Sequence, residues 1–201
     1  MKALVYVGAF NPPTGAHIDL AQYAMCRTGA DKVIYVPSKS TYIKYDQGKD
    51  FVFTDEERLD FLWRIAHERD WMDVSDYELK ADHQPRTYET LCYLRDTEGC
   101  DCQLLFGSDK LKELEHGWKY VDEICNEFGI VCLQRMDEDC RQIIADDPFL
   151  RAHADHITVL KTPEKYQKYS SSRSRHLLKA EKPDVGELKR LLPPELFDLV
   201  A

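Results

Sequence analysis

The chain has 201 residues, which is long enough to bury one well-filled hydrophobic core. Hydrophobic residues make up 43% and charged residues 31%, proportions typical of a globular protein and against disorder. The 36 acidic and 27 basic residues give a formal charge of -9, which disfavours general binding to nucleic acid phosphates or anionic lipid.

Apolar runs of strand length alternate along the chain with segments of helical periodicity, the pattern of βαβ units around a parallel sheet. Strands are predicted at residues 3–7, 32–36, 72–74, 103–106, 130–133 and 157–160. Helices are predicted at about 15–27, 54–66, 87–94, 108–114, 118–127, 137–145, 172–180 and 194–200. This order predicts the α/β class. We expect a Rossmann-like, doubly wound parallel sheet in a single domain covering 1–201, with a small C-terminal helical appendage over about 165–201.

Two connections have distinctive local patterns. Thr54-Asp-Glu-Glu57 has the spacing of a capping box, and its helix would bury a face that includes Leu62 and Trp63. The polar stretch 38–49 is too long for a minimal strand-to-helix turn, so we interpret it as an active-site loop.

The N-terminal sequence, the length of the apolar stretches and the pattern of cysteines indicate the cellular compartment. Met1-Lys2 leads directly into a strand without a signal-peptide pattern, and no apolar stretch approaches the roughly 20 residues of a membrane span. We therefore expect a cytoplasmic protein that does not bind membranes. The seven cysteines are odd in number and dispersed, unlike a disulfide framework. Cys100 and Cys102 lack a second nearby pair for zinc, so we interpret most cysteines as apolar fillers.

The stretch Gly8-Ala-Phe-Asn-Pro-Pro-Thr-Gly-Ala-His17 directly follows the first predicted strand. Its prolines make a rigid turn, which places Thr14 near the amino cap of a helix and His17 on the same face of the first turn. Free N–H groups and the helix dipole favour a phosphate there, and an imidazole can donate a hydrogen bond to it. The alternative is an ordinary capped helix whose His17 covers the sheet edge.

A second polar stretch, Tyr169-Ser-Ser-Ser-Arg-Ser-Arg175, opens a helix near the C-terminal end. Its hydroxyls, helix N–H groups and arginine would form a second oxyanion site. The alternative is a solvated loop or a phosphorylation target.

A third segment, Phe106-Gly-Ser-Asp-Lys-Leu111, follows a buried strand. Gly107 would let a ligand approach the backbone, and Asp109 would accept hydrogen bonds from ribose hydroxyls or adenine-side donors. Trp118 offers a flat ring for stacking, unless it is simply a core residue.

Together these segments resemble the nucleotidyltransferase superfamily. The first is similar to its G-x-F-[DN]-P-x-[HT]-x-x-H signature, and the second to its I-S-S-T-x-I-R signature. The nicotinate and nicotinamide mononucleotide adenylyltransferases share further patterns with this chain. These are Val36-Pro37 with Tyr42 and Lys44, then Ser75-Asp-Tyr-Glu78, Thr87-Tyr-Glu-Thr-Leu91, Gly107-Ser-Asp-Lys-Leu111, and Arg135 at the end of the fifth strand. The resemblance covers nearly the whole chain.

This resemblance implies transfer of AMP from ATP to a pyridine mononucleotide, with release of pyrophosphate, in NAD biosynthesis. The implied catalytic residues are His17 and Thr14 at the α-phosphate and Arg175 at the β- and γ-phosphates. The implied ATP-binding residues are Gly8, Ala9, Phe10, Gly107, Asp109, Ser170, Ser171 and Ser172. The implied acceptor-binding residues are Lys44, Thr87, Thr90, Trp118 and Arg135. Mg²⁺ would be held through the ATP phosphates and not by protein ligands.

The chain also departs from the family pattern. Thr14 stands where many bacterial members have a histidine, Ala16 replaces a glycine, and Ser174 replaces an apolar residue. Arg86 occupies a position that is usually aromatic in bacterial nicotinate enzymes, which leaves the choice between nicotinate and nicotinamide mononucleotide open.

Two alternative functions remain open on the sequence alone. One is another adenylyl- or cytidylyltransferase of the superfamily, acting on phosphopantetheine or a phosphorylated alcohol. The other is a non-catalytic nucleotide-binding regulator. Small-molecule nucleotides are the expected partners, nucleic acid and membranes are not, and a homo-oligomer is compatible with the sequence.

Overall fold

A six-stranded parallel sheet forms the centre of the structure, a computed structural model that describes residues 1–49, 51–135, 138–166 and 170–200. Its strands are β1 (Lys2–Gly8), β2 (Lys32–Pro37), β3 (Met72–Val74), β4 (Asp101–Gly107), β5 (Ile130–Gln134) and β6 (Ile157–Lys161). Their order across the sheet is β3-β2-β1-β4-β5-β6, and each neighbouring pair is parallel. The predicted strands and the Rossmann-like α/β class are confirmed.

Helices connect the strands and form the C-terminal part of the chain. They are α1 (Gly15–Thr28), α2 (Ser40–Tyr45), α3 (Asp55–His67), α4 (Tyr77–Lys80), α5 (Thr87–Glu98), α6 (Leu114–Gly117), α7 (Val121–Glu123), α8 (Cys140–Asp146), α9 (Pro148–Ala152), α10 (Ser171–Leu178) and α11 (Val185–Leu191). Short 3-10 helices cover Ser108–Glu113, Ala154–His156, Glu164–Tyr166 and Pro194–Val200, and a π-helical turn, Ile124–Phe128, continues α7. Asp137 and Tyr169, which begin a predicted helix and the second motif, lie outside the described residues.

Several predicted boundaries need correction. The predicted active-site loop contains the short helix α2. The helix predicted from Trp118 begins only at Val121, because Tyr120 has a left-handed backbone with φ of 63°. The sequence pattern missed α2, α4, α9 and α11, since helices of seven residues or fewer span too few turns to show a period.

Both faces of the sheet are buried by helices. Alternate strand residues enter two separate apolar clusters: Val5 packs with Leu91 of α5 on one face, and Leu4 packs with Ile18 of α1 on the other. Helices on both faces explain why the strands are nearly continuous apolar runs. The C-terminal helices add a third cluster, formed by Leu177, Leu188, Leu191 and Leu192.

The α3 helix begins as its sequence predicts, but its buried face differs. Thr54 Oγ1 accepts a hydrogen bond from the Glu57 N–H at 3.1 Å, and the Thr54 N–H donates to Glu57 Oε2 at 2.7 Å, which confirms the capping box. Trp63 is 50% exposed, so its predicted place on the buried face is wrong. Arg58 is buried there instead, together with Leu62.

The cysteines fill apolar space, as predicted for most of them. Cys100, Cys102, Cys125, Cys132 and Cys140 are buried. Among the described residues, no three histidine, cysteine or acidic side chains come together as a metal site would require. No helix in the described ranges combines the length and apolar character needed to cross a membrane.

Candidate active site

A cleft of about 690 Å³ opens at the carboxyl ends of β1 and β4. These strands are parallel neighbours, with Tyr6 opposite Leu105. The helix after β1 covers one face of the sheet, and the helical segments after β4 cover the other. The strand order therefore reverses between them, and in doubly wound sheets this switch point is where ligands bind.

Most of the predicted site residues meet at this cleft. Those that line it are Gly8, Ala9, Thr14, His17, Thr87, Gly107, Asp109, Trp118, Arg135, Ser170, Ser171, Ser172 and Arg175. Phe10, Lys44 and Thr90 do not line the cleft as the structure places it.

Buried side chains hold the first motif in place. Asn11, which is 1% exposed, donates to the Phe51 carbonyl at 2.8 Å and accepts from the Phe53 N–H at 2.9 Å. Phe10 is also buried, and its ring lies edge-on to His17 with a centroid distance of 5.5 Å. The Phe10 side chain thus supports His17 from beneath the cleft instead of facing a nucleotide.

The geometry fixes the protonation of His17. The Thr14 N–H donates to His17 Nδ1 at 3.0 Å, so Nδ1 carries the lone pair and the neutral ring carries its proton on Nε2. Burial, with a smaller effect of the positive charge of Arg135, lowers the pKa of His17 to about 4. Near neutral pH, His17 is therefore an uncharged hydrogen-bond donor on the wall of the cleft.

The second motif docks on the first, although about 160 residues separate them. Ser171 Oγ donates to the Pro12 carbonyl at 3.0 Å, and Arg175 Nη1 donates to the Asn11 carbonyl at 2.8 Å. Ser170 caps α10, since its Oγ accepts from the Arg173 N–H at 3.1 Å. The contacts place the start of α10 beside the start of α1, so that the polar groups at both helix starts face one cleft, and helix N-termini favour anions.

Three further residues in or near the cleft account for features of the sequence. A Cβ on Gly107 would lie 2.7 Å from Asp109 Oδ1, so only glycine lets this carboxylate fold back over the end of β4. Ala16 lines the cleft as a small residue, in keeping with the glycine it replaces. Ser174 is buried and donates to the Ser170 carbonyl at 3.3 Å, so the hydroxyl at this departure is satisfied within α10.

Lys44 and Thr90, both predicted to bind the acceptor, stay outside the cleft lining for different reasons. Lys44 is exposed, with Nζ 5.3 Å from the centroid of the Tyr45 ring, whereas Lys49 of the same connection lines the cleft. Thr90 is fully buried and donates through Oγ1 to Glu78 Oε1 at 2.8 Å. Thr90 therefore supports Glu78, which does line the cleft.

Glu78 is a cleft residue for which the sequence alone predicts no role. Its carboxylate also accepts from Gln84 Nε2 at 2.5 Å, and Gln84 Oε1 in turn accepts from the Lys39 N–H at 2.9 Å. Burial raises the pKa of Glu78 to about 7, against the opposing effect of hydrogen bonds from Gln84, Thr90 and Ser38. The Ser75-Asp-Tyr-Glu78 pattern includes Glu78 but does not predict the hydrogen bonds that its carboxylate accepts.

The Glu78→Gln variant is expected to lose less stability than the wild type as pH rises. Because the pKa is raised in the folded state, the contribution of Glu78 is full below pH 4.5 and is lost as pH rises through about 7. The amide has no such titration, so the change in unfolding free energy between pH 4.5 and alkaline pH should shrink by about 3 kcal/mol. Urea unfolding of the variant measures this, with the exposed Glu68→Gln as control. An equal pH dependence in Glu78→Gln and wild type would contradict the prediction.

Arg58 is a second buried residue whose role the sequence did not reveal. Its guanidinium donates to the Ala9 carbonyl at 2.7 Å and to the Ser38 carbonyl at 2.5 Å. It also pairs with Asp55 at 2.7 Å. Arg58 thereby ties the first motif and the segment after β2 to α3.

Comparison with known proteins assigns the chain to the class of protein that its fold and cleft indicate. The sequence profile of the cytidylyltransferase-like family matches residues 5–177, and the chain belongs to this family. The predicted membership of the nucleotidyltransferase superfamily is confirmed.

Two curated relatives are probable nicotinate-nucleotide adenylyltransferases. That of Fusobacterium nucleatum is 28% identical over 205 residues, an alignment that covers 98% of this chain and 100% of the relative. That of Clostridium botulinum is 32% identical over 130 residues, which cover 64% of this chain and 62% of the relative.

Solved structures share the fold. The nicotinic acid mononucleotide adenylyltransferase of Plasmodium falciparum complexed with NaAD has a TM-score of 0.74 at 16% identity, covering 100% of this chain and 95% of that one. The same enzyme complexed with APC also gives 0.74 at 16% identity, covering 99% and 94% of the two chains.

Proposed function

We propose that this protein transfers AMP from ATP to nicotinate mononucleotide or nicotinamide mononucleotide, releasing pyrophosphate in NAD biosynthesis. The observation that carries the proposal is the docking of the two motifs through Arg175 and Asn11 and through Ser171 and Pro12. It gives one cleft two adjacent groups of phosphate ligands. The relatives that align over the chain support the same activity.

His17 acts at the phosphate that is attacked. A 5′-phosphate oxygen of the acceptor forms a bond to the α-phosphorus of ATP, and the bond from that phosphorus to the bridging oxygen breaks. His17 Nε2–H donates to a non-bridging α-phosphate oxygen, with Thr14 holding the ring in this tautomer. Positioning and charge stabilisation are sufficient for such a transfer, and no covalent enzyme intermediate is needed.

The serines of the second motif divide their roles according to their existing hydrogen bonds. Ser171 uses its hydroxyl hydrogen on Pro12, so it positions α10. Ser170 and Ser172 accept hydrogen bonds, from the Arg173 N–H and from Arg175 Nη2, and keep their own hydrogens for phosphate oxygens. Arg175 adds a positive charge for the β- and γ-phosphates.

Mg²⁺ enters this site with ATP. The cleft wall supplies hydroxyls and a guanidinium, which suit phosphate oxygens, while the described residues form no ready cluster of metal ligands. This donor set fits a cation held through the phosphates, which is how Mg²⁺ commonly binds. When bound, it neutralises phosphate charge.

The other end of the cleft receives the acceptor. Trp118 lines the cleft while its ring packs on Phe106 of β4, with centroids 6.0 Å apart. Its remaining surface is a flat apolar platform for a pyridine ring. Thr87, Arg135 and Lys49 line the same cleft and would supply polar contacts to the acceptor.

A pyrophosphate-release assay tests the function. Mg-ATP and Mg-CTP are each supplied with nicotinate mononucleotide, nicotinamide mononucleotide or phosphopantetheine, with reactions lacking an acceptor as blanks. Release is expected with ATP and a pyridine mononucleotide. Activity only with phosphopantetheine or only with CTP would assign a sister transferase, and stabilisation by ATP without release would indicate a non-catalytic regulator.

A further inference from the structure

Opposite faces of α10 contact different parts of the protein. Ser171 and Arg175, four residues apart, share one face and donate to carbonyls of the first motif at 3.0 and 2.8 Å. Arg173 and Leu177 share the opposite face, because two residues turn an α-helix by about 200°. Arg173 donates to both carboxylate oxygens of Glu187 in α11, each at 2.8 Å. Leu177 packs with leucines of α11 in the third apolar cluster. The position of α10 therefore depends on α11 as well as on the first motif.

The C-terminal 3-10 helix attaches α11, and with it α10, to the far end of α3. Leu196 is fully buried in the apolar cluster that α3 shares with the sheet. Arg64, in the last turn of α3, donates to both carboxylate oxygens of Asp198 at 2.6 and 3.1 Å, and it also donates to the Glu195 carbonyl. Arg69, which follows α3, pairs with the Glu195 carboxylate at 2.7 Å. The two arginines thus hold the C-terminal 3-10 helix at one end of α3.

The other end of α3 holds the first motif. Arg58, the fourth residue of α3, donates to the Ala9 carbonyl at 2.7 Å. Arg64 lies six residues further on, which is about 9 Å along the helix axis. Leu62, between these arginines, is fully buried, so α3 is itself fixed against the sheet. A rigid element that contacts the first motif and the support of the second fixes their separation more precisely than a loop does.

We propose that α3 sets the spacing between the two phosphate-binding motifs, and that Arg64 and Arg69 are positioning residues for ATP that act through the C-terminal 3-10 helix, α11 and α10. This inference rests on the proposed function in assigning the start of α10 to the ATP phosphates. Neither arginine lines the cleft. Loss of their contacts frees the C-terminal 3-10 helix and lets α10 move relative to the first motif, and small displacements of positioning groups have large effects.

Calorimetric binding of Mg-ATP without an acceptor tests the proposal in the wild type and in two double variants, Arg64→Met with Arg69→Met and Arg64→Lys with Arg69→Lys. The methionine double variant should bind Mg-ATP about 10-fold more weakly, while its KM for the acceptor stays within about twofold. The lysine double variant should stay within about threefold of the wild type, because each ammonium keeps a contact with its carboxylate. Arg95→Met should bind Mg-ATP as the wild type does, since Arg95 pairs with Asp96 and Glu127 and has no contact with α3.

Amide hydrogen exchange separates positioning from general stability. Peptides from α10 should exchange about 10-fold faster in the methionine double variant than in the wild type, because the helix opens locally once its support is released. Peptides from β1 and β4 should exchange at the wild-type rate, since these strands open only when the whole domain unfolds.

The alternative results are distinguishable. Unchanged binding of Mg-ATP and unchanged exchange of α10 in the methionine double variant would overturn the proposal. Equal acceleration of α10, β1 and β4, or equally weak ATP binding in Arg95→Met, would also overturn it, because either result shows only a general loss of stability. A wild type that binds Mg-ATP but releases no pyrophosphate with a pyridine mononucleotide would contradict the proposed function instead, and the binding and exchange results would still decide the role of the two arginines.

Discussion

The His17→Ala variant is expected to retain its fold and to lose about 10²- to 10³-fold in kcat, the usual effect of removing one donor from a developing oxyanion. The Thr14 N–H donates to His17 Nδ1, and this hydrogen bond holds the ring so that its Nε2–H has a fixed orientation. The lowered pKa of His17 keeps the ring neutral. Water entering the vacated space cannot provide the same fixed donor, because its orientation is not held by the protein.

Turnover at saturating ATP and acceptor, together with a thermal unfolding curve, measures this effect. His67→Ala is the matched control, since His67 is exposed in the last turn of α3. Near-normal turnover in a folded His17→Ala protein would remove His17 from the mechanism.

The Arg58→Met variant is expected to lose at least about 2 kcal/mol of unfolding free energy, because each acceptor left without a donor in the interior costs about 1–3 kcal/mol. Methionine retains much of the side-chain volume but leaves the Ala9 and Ser38 carbonyls without the Arg58 donor. The Asp55 carboxylate loses Arg58 and keeps the Ser40 N–H. The two segments that these groups anchor border the cleft, so activity should fall as well.

Urea denaturation measures the loss, with Arg27→Met as the exposed control. Arg58→Lys should be intermediate, because an ammonium keeps the charge but cannot reach the same set of acceptors as the planar fork. A change below about 1 kcal/mol in Arg58→Met would show that the buried guanidinium is not a structural anchor, since that is the size of a surface ion pair.

The sequence predicted the sheet well for a physical reason. Strands of a sheet covered on both faces are almost entirely apolar, so each one, including Val33 to Val36, is visible as a short run. The amphipathic pattern of α3 predicted the wrong buried face, because such a pattern counts every arginine as an exposed residue. Arg58 is buried because two of its acceptors, the Ala9 and Ser38 carbonyls, come from segments far away in the chain, which no local period can show.

The sequence predicted which segments form the candidate site, but it did not predict which way their side chains point. The motifs contain His17, Arg175 and Asp109, which the structure places in the lining of the cleft. They could not show that Phe10 and Thr90 point away from it, because side-chain direction depends on packing with Tyr6, Tyr35 and Glu78. The Glu78 network likewise exists only once three separate segments have come together.

The fate of two labels in ATP tests adenylyl transfer most directly. Purified protein is incubated with nicotinate mononucleotide and Mg-ATP labelled with ³²P at either the α- or the γ-phosphate, and the products are separated. We predict that the α-label appears in a dinucleotide and the γ-label in pyrophosphate. Transfer of the γ-label to the acceptor, or its release as orthophosphate while the α-label stays in ADP, would contradict attack at the α-phosphorus.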